Sequence, residues 1–308
     1  MLFRSVPTAL EFVDVAGLIK GASEGDGLGN QFLANIRQCD AIVHVVRCFE
    51  DDDVIHVDGS VDPIRDAELI NLELAFADLA QVEQRLQRIR KEVGRAGKGD
   101  PVETSALGKV MECLEANKPA RYAEITDEEE ASIKSLGLLT RKPMIYAANV
   151  AESDLADGND MVNELKKIAA EEGARTVIVS AQVEMELVDL GPEDKEEFLG
   201  ALGLTPDDCG LRVLIREAYN LLNLRTFYTS GPSESRAWTI RKGWTAPQAA
   251  GVIHTDFERG FIRAEVYTLD DLETHQSEKE IRQAGKLRVE GKNYIMQDGD
   301  ICHFLFNV

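Results

Sequence analysis

The 308-residue chain lacks the features that mark membrane, secreted and metal-cluster proteins. No apolar run reaches the roughly 20 residues that a membrane helix needs, and no signal peptide precedes the first apolar segment. The five cysteines are odd in number and widely scattered, which favours a reducing compartment over a disulfide framework or a zinc cluster. We therefore expect a cytoplasmic protein of two or three domains.

Positive charge is also scarce, with 34 Lys and Arg against 55 Asp and Glu and a net charge of −21. This balance argues against a protein that coats nucleic acid over its whole surface. The charge is uneven, because residues 223–308 hold 11 basic and 12 acidic residues and are nearly neutral. Any RNA contact is therefore expected in the C-terminal segment.

Strand-like and helix-like segments alternate through much of the chain. The helices are predicted at Leu28–Gln38 and Asp160–Glu172. The strands are predicted at Ala9–Val15, Ala41–Arg47, Pro143–Asn149 and Thr176–Ser180. This order predicts an α/β fold with a parallel doubly wound sheet and with ligands at the carboxyl ends of its strands.

A long helical segment opens at Asp62-Pro63, an N-cap followed by a first-turn proline. Its apolar residues are spaced by three and four positions, as in a coiled-coil seam: Leu69, Leu72, Phe76, Leu79, Val82, Leu86, Ile89 and Val93. The glycine-rich stretch 94–100 breaks the helix, and Pro101 restarts one. We predict an antiparallel helical hairpin inserted at about 62–136. Its seam either packs between its own arms, which is the default, or binds a partner.

After Leu222 the pattern changes to short strands with one helix near Ala246–Ile253, which is typical of a compact α+β unit. We therefore predict one domain over 1–222 and another over 223–308. The second domain has a possible basic, RNA-facing side, although its acidic residues are as numerous: Arg236, Arg241, Lys242, Arg259, Arg263, Lys286, Arg288 and Lys292.

Three short motifs follow predicted strands in the order found in P-loop nucleotide hydrolases. Asp14-Val-Ala-Gly17 has the Asp-x-x-Gly pattern that places a carboxylate near the Mg²⁺ water shell and a glycine N–H near the γ-phosphate. Asn149-Val-Ala-Glu152 stands where GTPases carry Asn-Lys-x-Asp, and Ser180-Ala181 follows the next strand. Asp-x-x-Gly alone is most often a strand ending in a turn, so the case depends on all three motifs together.

These motifs depart from the GTPase pattern. Glu152 is one methylene longer than the aspartate that binds guanine, and Val150 replaces the lysine that packs over the base. We therefore expect a weakened preference for guanine. Leu18 stands where many GTPases have a water-orienting glutamine and cannot form a hydrogen bond through its side chain.

The chain closely resembles the YchF subfamily of Obg-like ATPases over nearly everything after Val6. The resemblance is carried by Phe12–Ser23 (FVDVAGLIKGAS), Gly27–Leu33 (GLGNQFL), Val45–Glu50 (VVRCFE), Asn149–Glu152 (NVAE), Arg236–Ile240 (RAWTI), Ala246–Ala250 (APQAA), His254–Arg263 (HTDFERGFIR) and Phe304–Val308 (FLFNV). It implies a G domain with an inserted coiled coil, followed by a C-terminal TGS domain of β-grasp type.

The resemblance also implies an activity, namely Mg²⁺-dependent hydrolysis of ATP in preference to GTP by a ribosome-associated switch. The ribosome, with ribosomal RNA or tRNA, would bind the TGS domain and the hairpin. The tip of the hairpin carries Arg95 and Lys98, which either touch ribosomal RNA or, as the default, belong to a solvated turn. Asp14 would hold the Mg²⁺ water shell and Gly17 would sense the γ-phosphate. The base would lie against Asn149, Val150 and Glu152, backed by Ser180 and Ala181.

The resemblance further points to His56 as the residue that positions or activates water, a role that suits an imidazole near neutral pH. The other interpretation of His56 is a solvated loop histidine. His44 lies in an apolar strand and is expected to be structural. His254, His275 and His303 lack the spacing of metal ligands.

No Gly-x-x-x-x-Gly-Lys-[Ser/Thr] motif occurs in these 308 residues. Because that loop and its lysine supply most of the electrostatic stabilisation in phosphoryl transfer, we expect little or no ATPase activity from this polypeptide. The alternative function is a non-catalytic ribosome- or RNA-binding module. Residues 1–5 do not match the family and could be encoded by a sequencing adapter, so we expect a 5′-truncated gene whose first strand and P-loop are missing.

Overall fold

The structure, a computed structural model, describes residues 4–15, 28–54, 56, 59–96 and 99–307, with only the backbone of residues 28–32 and 95–96. Gly17, Leu18 and Lys98 lie outside the described residues, as does the side chain of Arg95. The chain forms two compact units. The N-terminal unit is Val13–Ala218, and the C-terminal unit is Tyr219–Val308 together with Met1–Phe12.

The elements are numbered in chain order over the described residues. The strands are β1 (Arg4–Val6), β2 (Ile42–Arg47), β3 (Met144–Asn149), β4 (Arg175–Val179), β5 (Leu224–Ser230), β6 (Glu234–Arg241), β7 (Phe261–Tyr267), β8 (Arg288–Glu290) and β9 (Ile301–Phe306). The helices are α1 (Leu28–Gln38), α2 (Pro63–Ala96), α3 (Pro101–Glu115), α4 (Asp127–Ile133), α5 (Asp160–Glu171), α6 (Ala181–Val188), α7 (Pro192–Ala201), α8 (Gly210–Leu221), α9 (Ala246–Ile253), α10 (Thr255–Arg259), α11 (Leu269–His275) and α12 (Glu278–Gln283). No helix within this part of the chain is both long and apolar enough to span a membrane.

The N-terminal unit contains a parallel sheet of three strands in the order β2-β3-β4. Val46, Tyr146 and Ala148 of this sheet are buried together with Val162 and Leu165 of α5. The predicted α/β fold with a parallel sheet is confirmed. The predicted strands before Asn149 and Ser180 correspond to β3 and β4, so both motifs lie at the carboxyl edge of the sheet.

The predicted strand at Ala9–Val15 is wrong, because residues 7–15 have no regular secondary structure. Phe12 and Val13 are exposed, and Val15 packs against the buried cluster of Leu33, Ile36 and Leu74. A strand needs a ladder of backbone hydrogen bonds as well as an apolar pattern. Within the described residues β2 pairs only with β3, so the segment that ends at Val15 does not join the sheet.

Helices α2 and α3 form the predicted hairpin, which runs antiparallel. Arg85 donates to both carboxylate oxygens of Glu103 at 2.7 and 2.8 Å. Val82 and Ile89 pack with Leu107 and Val110 in a buried cluster. Asp62 begins α2, because its carboxylate accepts from the N–H groups of the first turn.

The predicted seam is only partly correct, since the side chains of Leu72, Phe76 and Val93 are exposed by 40, 47 and 44%. The 15-residue α3 is shorter than the 34-residue α2, so it cannot cover the whole of α2. Nearer its start, α2 instead packs Leu74 and Ala77 against α1. The buried face of α2 thus changes along its length.

Asp78 connects α2 to the chain that returns from the hairpin. Its carboxylate is completely buried and accepts from the Leu139 N–H at 2.8 Å, the Thr140 N–H at 2.7 Å and the Thr140 hydroxyl at 2.8 Å. Arg37 at the end of α1 donates a fourth hydrogen bond at 3.3 Å. The Thr140 Oγ1 also accepts from the Ala120 N–H. We call Arg37, Asp78 and Thr140 the Asp78 clamp.

Glu129, in the first turn of α4, binds Ser105 and Lys109 of the hairpin helix α3. Its carboxylate accepts from Lys109, from the Thr126 N–H and from the Ser105 hydroxyl, and these groups lower its pKa from 4.5 to about 2. A carboxyl group whose pKa is lower in the folded protein than in the unfolded chain stabilises the fold at pH values above the unfolded-state pKa. This stabilisation is lost as the pH falls through the folded-state pKa. We therefore expect Glu129→Gln to be less stable at pH 7 but to lose less stability than the parent chain between pH 4.5 and about 2.

Thermal unfolding followed by circular dichroism over this pH range measures the difference. Glu128→Gln, at an exposed neighbour in the same first turn, is the matched control. Parallel pH profiles for the Glu129→Gln variant and the parent chain would contradict the prediction.

The C-terminal unit is a six-stranded sheet in the order β1-β6-β5-β9-β7-β8. Its core lies between one sheet face and α9, where Phe227, Ile240 and Phe304 pack on Ala249 and Ala250. Strand β1, which the sequence did not predict, pairs in parallel with the start of β6. The other strands confirm the predicted α+β pattern.

Candidate functional site

The motif at the end of β3 is connected directly to the motif at the end of β4. The Asn149 Oδ1 accepts from the Ala181 N–H at 2.9 Å, and the Val150 N–H donates to the Val179 carbonyl at 2.9 Å. Both contacts result from parallel pairing of β3 and β4, which brings Asn149 opposite Val179. The structure therefore brings together the two predicted base-binding motifs.

Within this edge the predicted residues differ in accessibility. Val150 is buried, Glu152 is partly exposed at the start of a short 3-10 turn, and Ala181 is exposed as the first residue of α6. Ser180 is 1% exposed, and its hydroxyl oxygen has no hydrogen-bond partner among the described residues. A buried hydroxyl of this kind is suited to an additional polar contact.

Asn159 completes this edge and was not predicted as a site residue. Its amide nitrogen donates to the Cys48 carbonyl at 2.8 Å and to Asp154 at 2.7 Å, while its oxygen caps α5 at Val162. It thereby ties the end of β2 to the turn that carries Glu152. The position of Asn159 just before a helical segment predicts the cap, but nothing in the sequence indicates the contact with Cys48.

His56 is paired with a carboxylate that the sequence did not single out. Its Nε2 lies 2.9 Å from the Asp66 Oδ2, and the two side chains are 18 and 23% exposed. The other Asp66 oxygen accepts from Arg65 at 3.1 and 2.9 Å. His56 is therefore held against the first turns of α2, which argues against a freely solvated loop histidine.

Arg47, at the end of β2, organises the loop that leads to His56. Its guanidinium donates to the carbonyls of Phe49, Asp51 and Val54 at 3.0, 3.2 and 2.8 Å. It also lies over the Phe49 ring. Since Arg47 pairs with Asn149 across the sheet, this loop starts beside the Asn149 motif.

Asp14 is exposed, in a segment without regular secondary structure, and forms no hydrogen bond or ion pair within the described residues. Gly17, its partner in the motif, lies outside them. The described residues contain no group of three or more His, Cys, Asp or Glu side chains that could hold a metal ion. One exposed carboxylate is too little to hold Mg²⁺, so the ion does not fit the described residues alone.

Comparison with known proteins places these features in a family. Residues 3–85 match a family described as a 50S ribosome-binding GTPase, and residues 224–307 match a C-terminal YchF-GTPase family described as a protein of unknown function. The chain is 50% identical to the ribosome-binding ATPase YchF of Bacillus subtilis over 99% of its own length and 83% of the relative's. The Escherichia coli O157:H7 protein of the same name gives the same identity and coverage.

A solved structure agrees with the sequence comparison. The YchF GTPase of Schizosaccharomyces pombe is 40% identical, with a TM-score of 0.83, and the match covers 98% of this chain and 82% of that one. The predicted resemblance is therefore confirmed, and so is the fold class, a GTPase-type α/β unit followed by the YchF C-terminal domain. The chain belongs to the YchF family of ribosome-binding ATPases.

Proposed function

We propose that this protein belongs to a type of cytoplasmic, ribosome-associated switch that is Mg²⁺-dependent and hydrolyses ATP in preference to GTP, and that the 308-residue polypeptide itself has little or no activity because its sequence contains no phosphate-binding loop. The observation that carries the proposal is the hydrogen bond between Asn149 and Ala181 at the carboxyl edge of the sheet. It joins two base-binding motifs in a chain half identical to ribosome-binding ATPases. The site residues proposed are His56, Asp14 and Gly17 for hydrolysis and Asn149, Val150, Glu152, Ser180 and Ala181 for the base.

The orientation of the Asn149 side chain supports a role in purine recognition. Because its Oδ1 accepts from the Ala181 N–H, its amide NH₂ is directed to act as a donor. A donor at this position suits the N7 acceptor that adenine and guanine share. The buried Ser180 hydroxyl beside it is a second group that a bound base would satisfy.

Preference between the two purines is assigned to Val150 and Glu152. Guanine offers an N1–H and an amine to a carboxylate, whereas adenine has an acceptor at N1. Glu152, longer than aspartate and partly exposed, is poorly placed to bind both guanine donors, and Val150 has no long stem to cover the base. Loss of these contacts weakens guanine binding more than adenine binding.

Mg²⁺, when bound with the nucleotide, would neutralise charge on the phosphates. Asp14 is the only proposed contributor in this chain, acting through water.

A second function is favoured by the absence of a phosphate-binding loop from these 308 residues. The polypeptide would then bind ribosomes or RNA through the hairpin and the TGS domain without catalysis. The six-stranded sheet of the C-terminal unit and the near-neutral charge of residues 223–308 support this partner surface. In both functions the ribosome is the partner.

Sedimentation with purified bacterial ribosomes separates the two functions. The comparison protein is a chimera that joins the N-terminal, P-loop-bearing segment of the Bacillus subtilis relative to this chain at Val6. We expect both proteins to pellet with ribosomes, the chimera with an affinity that changes on exchanging ADP for a non-hydrolysable ATP analogue. Ribosome binding by the chimera that ignores the nucleotide would favour the non-catalytic module, and failure of both proteins to bind would overturn the partner.

A further inference from the structure

His56 is held by a carboxylate that is itself fixed through both of its oxygens. The Asp66 Oδ2 lies 2.9 Å from the His56 Nε2, while its Oδ1 accepts from the Nε and Nη2 of Arg65. Arg65 in turn donates to the Ser60 carbonyl at 2.8 Å and to its hydroxyl at 3.3 Å. A carboxylate accepts only, so Nε2 is the nitrogen that carries the proton in this contact.

Asp66 also belongs to the rigid part of α2. Its N–H donates to the Asp62 carbonyl at 3.0 Å, as the helix begins. From there α2 continues to Ala96, the last residue of this 34-residue helix, at the hairpin tip. Farther along, the Asp78 clamp ties the same helix to α1. The side chain of His56 is therefore attached to the hairpin.

The backbone that precedes His56 is attached to a different element. Arg47 of β2 donates to the carbonyls of Phe49, Asp51 and Val54, which fixes the loop to the carboxyl edge of the sheet. A shift of α2 relative to β2 would therefore move the imidazole while the start of its loop stays in place. The hydrogen bond to Asp66 couples the ring to the helix.

Resting on the proposed function, we propose that Asp66 is the positioning residue for His56, so that the first turns of the hairpin set the orientation of the water-directing imidazole. A base held by a third, orienting group is the general arrangement of nucleophile activation. The hairpin is then part of the hydrolytic machinery through the hydrogen bond between His56 and Asp66. A partner that tilts the hairpin would change hydrolysis by displacing His56.

Chemical modification of the 308-residue chain tests the positioning without requiring activity. Diethyl pyrocarbonate acylates histidines, and mass spectrometry follows each of the five separately. In Asp66→Ala we expect His56 to react about 10-fold faster, because the ring loses the charge-assisted hydrogen bond, of about 1.4 kcal/mol, that holds it in its partly buried position. His254 and His275 should keep their rates, and Asp66→Glu should restore most of the protection of His56.

Glu68→Ala is the matched control, because it removes an exposed carboxylate from the same stretch of α2, and Glu68 has no ion pair or hydrogen bond among the described residues. The His56 rate should stay within twofold of the parent rate in this variant. Equal rates for Asp66→Ala and the parent chain would overturn the proposal. So would equal acceleration in Asp66→Ala and Glu68→Ala, since the effect would then be one of charge near the helix terminus.

The P-loop-bearing chimera provides the catalytic readout. There Asp66→Ala should lower kcat for ATP by about 10- to 100-fold with KM unchanged, since general acid–base or positioning groups contribute about 10²–10⁴ in rate. An unchanged kcat alongside a faster His56 reaction would overturn the catalytic role of the pair. A chimera that hydrolyses no ATP at all would instead overturn the proposed function, while the modification result would still decide whether Asp66 holds His56.

Discussion

The 308-residue polypeptide is expected to hydrolyse ATP at least ~10³-fold more slowly than the P-loop-bearing chimera, because the cradle of backbone N–H groups and the lysine that stabilise the transferred phosphoryl group are missing. On the proposed function, Asn149 and Ser180 would contact the purine and His56 would direct the attacking water. Gly17 alone would contact the γ-phosphate. Binding of the base alone leaves the developing charge uncompensated.

Steady-state phosphate release with saturating ATP and Mg²⁺ measures the ratio of the two hydrolysis rates. A titration with a fluorescent ATP analogue measures the affinity of each protein for the nucleotide. The chimera is a fair reference because β2 offers it an edge for pairing. Among the described residues β2 pairs only with β3, and Val45 in its middle is 64% exposed. Micromolar ATP affinity in the 308-residue polypeptide, or a kcat within 10-fold of the chimera's, would contradict the expectation.

The carboxyl edge of the sheet could be predicted from the sequence because its motifs follow buried strands. The sequences of β3 and β4 are short apolar runs. Parallel pairing of these two strands is sufficient to place Asn149 beside Ala181. Local patterning also located α1 and the start of α2, where Asp62 supplies the cap. Such features depend on neighbouring residues and on strand pairing alone.

The contacts that hold His56 could not be predicted, because they depend on which turn of α2 faces the loop. Nothing in the sequence distinguishes Asp66 from Asp62 or Glu68 as a partner for His56. The strand predicted at residues 9–15 is wrong for a related reason. Their apolar pattern is that of a strand, but a strand forms only where another strand lies beside it. The predicted seam fails at Leu72 and Phe76 because α3 covers only part of α2.

Replacing Asp78 with alanine should lower the free energy of unfolding of the N-terminal unit by about 3–5 kcal/mol, the cost of breaking a buried, hydrogen-bonded charged group. The side chain is completely buried, and its removal leaves the N–H groups of Leu139 and Thr140 without their acceptor. Each abandoned buried donor costs about 1–3 kcal/mol. The Arg37 guanidinium loses an ionic partner at the same time.

The value of Asp78 lies in accepting hydrogen bonds more than in its charge. Burial raises the pKa of its carboxyl above the ordinary 3.8, against the opposing effect of the Thr140 and Leu139 hydrogen bonds. The folded protein therefore binds this proton more tightly than the unfolded chain. The stability that Asp78 contributes therefore falls as the pH rises from 3.8, the pKa in the unfolded chain, through the higher pKa in the folded protein. Protonation of Asp78 in acid does not weaken the clamp. Asp78→Asn, which keeps one acceptor oxygen, should accordingly cost less than Asp78→Ala.

Urea unfolding followed by circular dichroism at 222 nm reports the helices of both units, including the hairpin. The slope of the transition shows whether the two variants expose a comparable surface on unfolding. Both tryptophans, Trp238 and Trp244, lie in the C-terminal unit, so their fluorescence reports that unit separately. Glu83→Ala, at an exposed site on α2, is the matched control and should change stability by less than about 0.5 kcal/mol. If Asp78→Ala unfolded at the same urea concentration as this control, the hairpin would be held by its apolar contacts alone. The clamp could not then transmit a tilt of the hairpin to α1. An interaction that contributes no free energy cannot favour one position of the hairpin over another.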